Sequence, residues 1–419
     1  MMRSRQARLS TSATRAVRVG CVAVVLILRA AAPSPANALA PSQIVSTESH
    51  VTYSFADEMT FSIHALSGTP IDRCYLFFRA ATEERTRSVE ISVLPAPEIF
   101  VTHTVRLQEA PLPPFATISY WWEFRDTDGN RVTTASRDVQ YNDNRFEWQM
   151  VADGPLTIYW LEGDARFGQA ALDIARTSLM EIALELGAPQ PKPVSIYIYD
   201  SQAQLARAMG IARRDWAAGQ AHPELGTIVI AVPNRDGYTN QMANFIPHEI
   251  SHLLVYAVMT PAGYQYAPEW LDEGIAVVNE GLPTPEYAVA LQQAAEDGQL
   301  MSLADLCRPF PSDAYGARLA YAQSGSIVRF IREEYGVHQI RGLLQAYAGG
   351  ASCAVGIEEE LGLSMDGLET RWRNSLAPRG VWRTYAEQYG PYIGILVLGL
   401  LLAIPMVGLG ISRSSNGHR

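Results

Sequence analysis

His248-Glu249-Ile250-Ser251-His252 lies in a stretch of helical character, and its spacing decides how the region around it must fold. Residues four apart project from one face of an α-helix, so the two imidazoles stand one above the other. Neutral imidazoles in this arrangement close on a single metal ion and suit Zn²⁺, which in a catalytic site takes a third protein ligand and keeps one position open. Glu249 follows His248 directly and points about 100° around the helix. It is poorly placed to join the same coordination sphere and well placed to act on water as a base.

Twenty residues further on stands Pro268-Glu269-Trp270-Leu271-Asp272-Glu273-Gly274-Ile275-Ala276. The helical span 253–259 closes at the breaker cluster Thr260-Pro261-Ala262-Gly263, and a second helix is predicted from near Pro268. A helix, a loop of this length and an antiparallel helix return a carboxylate to the histidines. Acids are also favoured at a helix start by the macrodipole, so Glu269, Asp272 and Glu273 have a second explanation. Together the two segments resemble the gluzincin metallopeptidases of the peptidase MA clan, whose third zinc ligand is the Glu of a W-L-x-E-G-x-A segment on the next helix. The resemblance puts Glu273 at that position, with Glu269, one turn earlier, as the second choice.

A third stretch, Tyr321-Ala322-Gln323-Ser324-Gly325-Ser326-Ile327-Val328, is similar to the tyrosine-bearing helix of aminopeptidase-type gluzincins. The resemblance implies that the Tyr321 hydroxyl donates to the oxyanion of the tetrahedral intermediate, with Tyr315 as the local alternative. The Gly-x-Met-Glu-Asn motif by which aminopeptidases grip a free amino terminus does not occur. The resemblance therefore covers only a catalytic module over 146–380, and it favours an endopeptidase over an aminopeptidase.

Around this centre the pattern is that of an α+β domain with a helical C-terminal half. Residues 156–161, 193–199 and 227–232 read as strands and 166–186 as a helix, and beyond residue 285 the periodicity is helical throughout. In the family the strand before the zinc helix is an edge strand that receives an extended peptide by backbone pairing, and 227–233 matches it. A buried core strand is the competing reading of that segment.

Upstream, residues 41–145 alternate in short runs at 51–55, 60–64, 74–79, 100–105 and 117–124, separated by turn material such as Asp126-Thr127-Asp128-Gly129-Asn130. Short strands at this spacing predict an all-β sandwich of immunoglobulin or fibronectin type. Substrate-binding module, spacer and packing partner all remain open for it.

Both ends suggest a location. Residues 1–40 hold six arginines, no acid, an apolar stretch over 19–28 and an A-x-A-type end at Ala36-Asn37-Ala38-Leu39-Ala40, which predicts a signal peptide. Residues 391–411 are uncharged and long enough to predict one transmembrane helix, with 412–419 as a cytoplasmic tail and the catalytic domain extracytoplasmic. The formal charge is −10, and setting aside the six arginines of 1–40 takes it to −16. So acidic a chain is a poor partner for nucleic acid. Cys307 and Cys353, both in the helical half, are placed to pair in an oxidising compartment, leaving Cys74 over. The expectation is a membrane-anchored zinc metallopeptidase acting on peptides or proteins. A non-catalytic surface binding protein on a degenerate peptidase domain is the alternative, and zinc-dependent hydrolysis of a non-peptide bond is a third.

Overall fold

Two runs that the sequence presents as separate strands, 60–64 and 74–79, form one strand. The computed structural model describes residues 44–189, 192–209 and 219–376. Its first part contains β1 (Val45–Ser54), β2 (Glu58–Ala80), β3 (Arg87–Arg106), β4 (Thr117–Asp126), β5 (Arg131–Thr133) and β6 (Arg137–Gln140). β2 is 23 residues long and carries Ser67-Gly68-Thr69-Pro70 inside it. The register with β3 shifts between Leu66 and Ile71 and again between Ile71 and Arg73, and such irregularities accommodate Gly and Pro while bending the strand. They also change the parity of burial. Met59, Phe61, Ile63, Ala65 and Ile71 are buried before the second shift and Cys74, Leu76, Phe78 and Ala80 after it, so both halves face one core.

β2 pairs with β3 along both halves, with β1 along the first and with β4 along the second, all antiparallel. The expected two-sheet sandwich is therefore corrected to a single six-stranded antiparallel sheet curled into a half-barrel. Turn signals inside a bent strand led the sequence reading to cut it in two.

The second sheet has the order β10-β11-β9-β8-β7. Its strands are β7 (Gln149–Asp153), β8 (Leu156–Trp160), β9 (Val194–Tyr199), β10 (Gly219–His222) and β11 (Thr227–Ala231), with α1 (Ala165–Leu186) and α2 (Gln202–Met209) between them. β8, β9 and β11 run parallel, whereas β7 and β10 are antiparallel to their neighbours. The edge position expected for 227–233 is thus corrected. β11 is buried at every residue, and the edge on that side is β10, whose Gly-Gln-Ala-His sequence carries no β-branched or aromatic signal.

Both faces of this sheet are covered, and its residues alternate accordingly. Ile196, Ile198, Ile228 and Ile230 join a core with α1 and the later helices. Tyr197, Tyr199, Val229 and Ala231 join the core of the half-barrel. There the Tyr197 and Phe115 rings lie 4.4 Å apart, and Tyr199 donates a hydrogen bond of 2.9 Å to buried Asp143, which also pairs with Arg145. The N-terminal sheet is thus packed against one face of the second sheet.

Helices follow: α3 (Tyr238–Tyr264), α4 (Glu269–Val278), α5 (Pro285–Glu296), α6 (Leu303–Leu306), α7 (Ala314–Glu334), α8 (Val337–Ala348), α9 (Cys353–Leu361) and α10 (Met365–Leu376). Cys307 and Cys353 are joined by a disulfide, and Cys74 is free and buried.

The membrane placement is also corrected. Among the described residues no helix is long and apolar enough to cross a membrane. The expected leader (1–40), span (391–411) and tail (412–419) lie outside the described residues.

Candidate active site

α3 carries His248 and His252 on the face that meets α4, with Glu249 one position around. The helix is interrupted at Thr260 (φ 64, ψ 156), where the chain turns toward α4 before Pro261. α4 then runs against α7 at very short range. A Cβ on Gly274 would lie 2.7 Å from the Ser324 carbonyl oxygen, so only glycine allows α7 to come this close, and that approach brings Tyr321 onto Glu273.

Three ligand-type atoms converge. Glu273 Oε2 lies 3.4 Å from His248 Nε2 and 3.5 Å from His252 Nε2. One ligand atom from each of the three residues falls within 4.8 Å of the others. Tetrahedral coordination with bonds of about 2.0–2.1 Å separates neighbouring ligand atoms by about 3.3–3.4 Å, so the observed spacing fits a zinc-sized ion. Glu273 Oε2 is buried without a hydrogen-bond partner, as a ligand oxygen would be. Four carboxylates, those of Glu249, Asp272, Glu273 and Glu280, surround two imidazoles, an excess of negative charge that a divalent cation offsets.

Each imidazole is backed on its other nitrogen. His248 Nδ1 is 3.2 Å from Glu280 Oε1, and His252 Nδ1 is 3.0 Å from Asp272 Oδ1, the latter a charge contact without hydrogen-bond alignment. Carboxylates in this position fix the tautomer that leaves Nε2 free for a metal. Burial opposes charge on both rings, yet the surrounding carboxylates win. His248 is raised well above the usual histidine range, chiefly by Glu273 and Glu280 against burial, and His252 is pushed up to about 9 by Asp272 and Glu273. Glu273 is held low against burial by the two imidazoles and the Tyr321 hydroxyl.

Glu249 is 6% exposed, and burial pushes its carboxyl above the ordinary glutamate range in spite of both histidines. That is the direction a general base near neutral pH requires. Tyr321 donates to Glu273 Oε1 at 3.2 Å and stays protonated, because burial and then Glu273 raise its pKa.

A cleft of about 520 Å³ opens over these groups. One wall is formed by His248, Glu249, His252, Glu273 and Tyr321, with Asp272 and Tyr264 beside it. The other is Leu205, Ala206 and Met209 of α2 and Gly219–Ala221 of the edge strand.

The structure thus brings together His248, Glu249, His252, Glu273 and Tyr321. The other candidates do not join the ligand group: Glu269 accepts the Phe310 N–H at 2.8 Å, and Tyr315 is exposed. Sequence reasoning missed Glu280, which lies beyond the end of α4, where helical spacing from Glu273 no longer points to it. It read Asp272 as an acid that suits a helix start and did not see its place behind His252. It also missed Tyr264 and the β10 wall, for which no sequence pattern stood out.

Residues 174–378 match the family model described as the Peptidase MA superfamily. The match supports a gluzincin-type peptidase fold for that region. Among solved structures, an aminopeptidase N family protein from Idiomarina loihiensis is 7% identical, covering 81% of this chain and 74% of that one with a TM-score of 0.37. OgpA from Akkermansia muciniphila, solved with an O-glycopeptide substrate, is 8% identical, covering 25% of this chain and 30% of that one with a TM-score of 0.21. The chain thus spans less than a third of OgpA's length, and both TM-scores are too low to establish a shared fold. No curated protein matches the chain.

Proposed function

We propose that the protein is a zinc-dependent metallopeptidase, an endopeptidase rather than an aminopeptidase, with 146–380 as its catalytic domain and 41–145 as an N-terminal β domain. The observation that carries this reading is the convergence of His248 Nε2, His252 Nε2 and Glu273 Oε2 beside a buried carboxylate, at the floor of an open cleft. His248, His252 and Glu273 hold the zinc. When bound, the ion supplies Lewis-acid polarisation of the scissile carbonyl and of water.

The chain's own residues do the rest. Glu249, buried and with a raised pKa, takes a proton from the attacking water and delivers it to the leaving amine. Tyr321 is a protonated donor at the cleft floor and moves from Glu273 Oε1 to the oxyanion as charge develops there. Glu280 and Asp272 keep the two imidazoles oriented. Endopeptidase action is supported by the missing Gly-x-Met-Glu-Asn motif and by the Gly219–Ala221 wall of the cleft, which belongs to β10, the edge strand of the sheet among the described residues.

Metal analysis of the full chain, combined with digestion of a peptide library, tests the proposal. One zinc per chain and cleavage at internal bonds are expected. A chain loaded with zinc that cuts no peptide would favour the binding-protein alternative.

A further inference from the structure

Pro247, immediately before the first histidine, has no N–H to give to the carbonyl of Ala243 four residues earlier. That carbonyl is taken instead by a segment from outside the helix, because Gly281 N donates to it at 2.8 Å. The approach is close enough that a Cβ on Gly281 would lie 2.7 Å from the same oxygen. One residue on, Leu282 N donates to Asn244 Oδ1 at 2.9 Å. The stretch following α4 is therefore seated on α3 by two hydrogen bonds, one of them at the position left open by a proline.

What this seat delivers is Glu280. Its Oε1 reaches His248 Nδ1 at 3.2 Å, and its Oε2 accepts a 2.8 Å hydrogen bond from the Thr284 hydroxyl. Thr284 is the N-cap residue of α5, yet its side chain makes no capping hydrogen bond there. Its hydroxyl serves the glutamate instead. Three residues later the Tyr287 ring lies parallel to that of Tyr321, 6.4 Å away. A single short segment thus touches a ligand imidazole at one end and the cleft tyrosine at the other.

We propose that residues 280–284 are a positioning strap for His248, seated by the Pro247–Ala243–Gly281 contact and tuned by Thr284 through Glu280. The strap fixes the His248 ring with Nε2 directed at Glu273. This inference rests on the metallopeptidase reading above, and its residues are positioning residues that touch no substrate.

The test uses the full chain and Zn²⁺ alone, with affinity measured by competition against a chromogenic chelator. Thr284→Val removes the hydroxyl and no capping bond, so the metal-free protein should unfold at the wild-type midpoint while zinc affinity falls by about tenfold, the low end for outer-shell partners. In a Glu280→Gln background the same substitution should have no further effect, since Thr284 acts through that carboxylate. Gly281→Ala, which forces the strap off the Ala243 carbonyl, should weaken zinc at least as much. Wild-type affinity in Thr284→Val, or an equal loss with and without Glu280, overturns the strap and leaves the metallopeptidase reading in place. A wild-type chain that binds no zinc overturns both.

Discussion

Gly219 lies where any side chain would strike the Glu249 carboxylate: a Cβ there would be 2.6 Å from Oε1 and 2.9 Å from the Ile230 Cγ2. The edge strand of the sheet thus defines the space in which the proposed base sits. Gly219→Ala is expected to displace the carboxylate while leaving His248, His252 and Glu273 untouched. Turnover should fall on the order of 10²-fold, the effect of a small misplacement of a reacting group, with zinc content unchanged. Loss of zinc in this variant would mean that Glu249 has a structural share in the metal site.

Glu249→Gln keeps the shape and removes the base. Zinc occupancy should persist and turnover should drop on the order of 10²–10⁴-fold. Tyr321→Phe should cost about 10²–10³-fold, as for a single oxyanion donor. Single-turnover rates on a cleaved peptide measure both. Equal cleavage by Glu249→Gln and wild type would assign the hydrolysis to another site.

The readability of these groups in the sequence follows from how each is positioned. His248 and His252 are fixed by helical periodicity, and the chain resemblance carried Glu273 and Tyr321. Glu280 was hidden because its contact with His248 depends on a turn seated by Pro247, and Tyr264 because a left-handed Thr260 redirects the chain. In the N-terminal region the alternation of β2 was visible, but Ser67–Pro70 looks like a turn and is a bend within one strand. β10 escaped notice because its four residues have no strand propensity and gain their place only by pairing with β11.

His103, half-buried in β3, has its pKa lowered by burial. The unfolded chain therefore binds a proton at a pH where the folded chain does not, and stability is lost as pH falls from the unfolded value near 6.5 through the lowered one. His103→Gln should remove this slope. Unfolding midpoints at pH 7.5 and pH 5 should differ less in the variant than in the wild type. An unchanged difference would place the acid sensitivity elsewhere.

The Cys307–Cys353 disulfide closes a loop of sequence separation 46, and Trp270 of α4 donates its indole N–H to Cys353 Sγ at 3.2 Å. In the chain-entropy account a loop of this size contributes about 4 kcal/mol. Cys307→Ser with Cys353→Ser should lower the unfolding free energy by up to that amount. Amide exchange should quicken in α4 and α9 more than in the N-terminal sheet. Uniformly faster exchange would mean that the bond acts on the whole fold rather than on α4.

Tyr264 donates to Asp272 Oδ2 at 2.7 Å, while Asp272 Oδ1 lies 3.0 Å from His252 Nδ1. Burial and Asp272 both raise the phenol pKa, so the hydroxyl is a donor at every working pH. Thr260 makes this contact reachable. A β-branched residue at φ 64 and ψ 156 is strained by roughly 1–3 kcal/mol, and such strain persists where the surroundings hold it in place. Tyr264 also lines the cleft, so its ring is available to a substrate as well as to Asp272. Tyr264→Phe separates the two roles, because it deletes the hydroxyl and keeps the ring packed on Tyr256, 5.2 Å away. If the hydroxyl works through Asp272, zinc affinity should fall by up to about tenfold and KM should hardly move. A raised KM with unchanged zinc affinity would make Tyr264 a substrate contact and leave His252 oriented by Asp272 without its help.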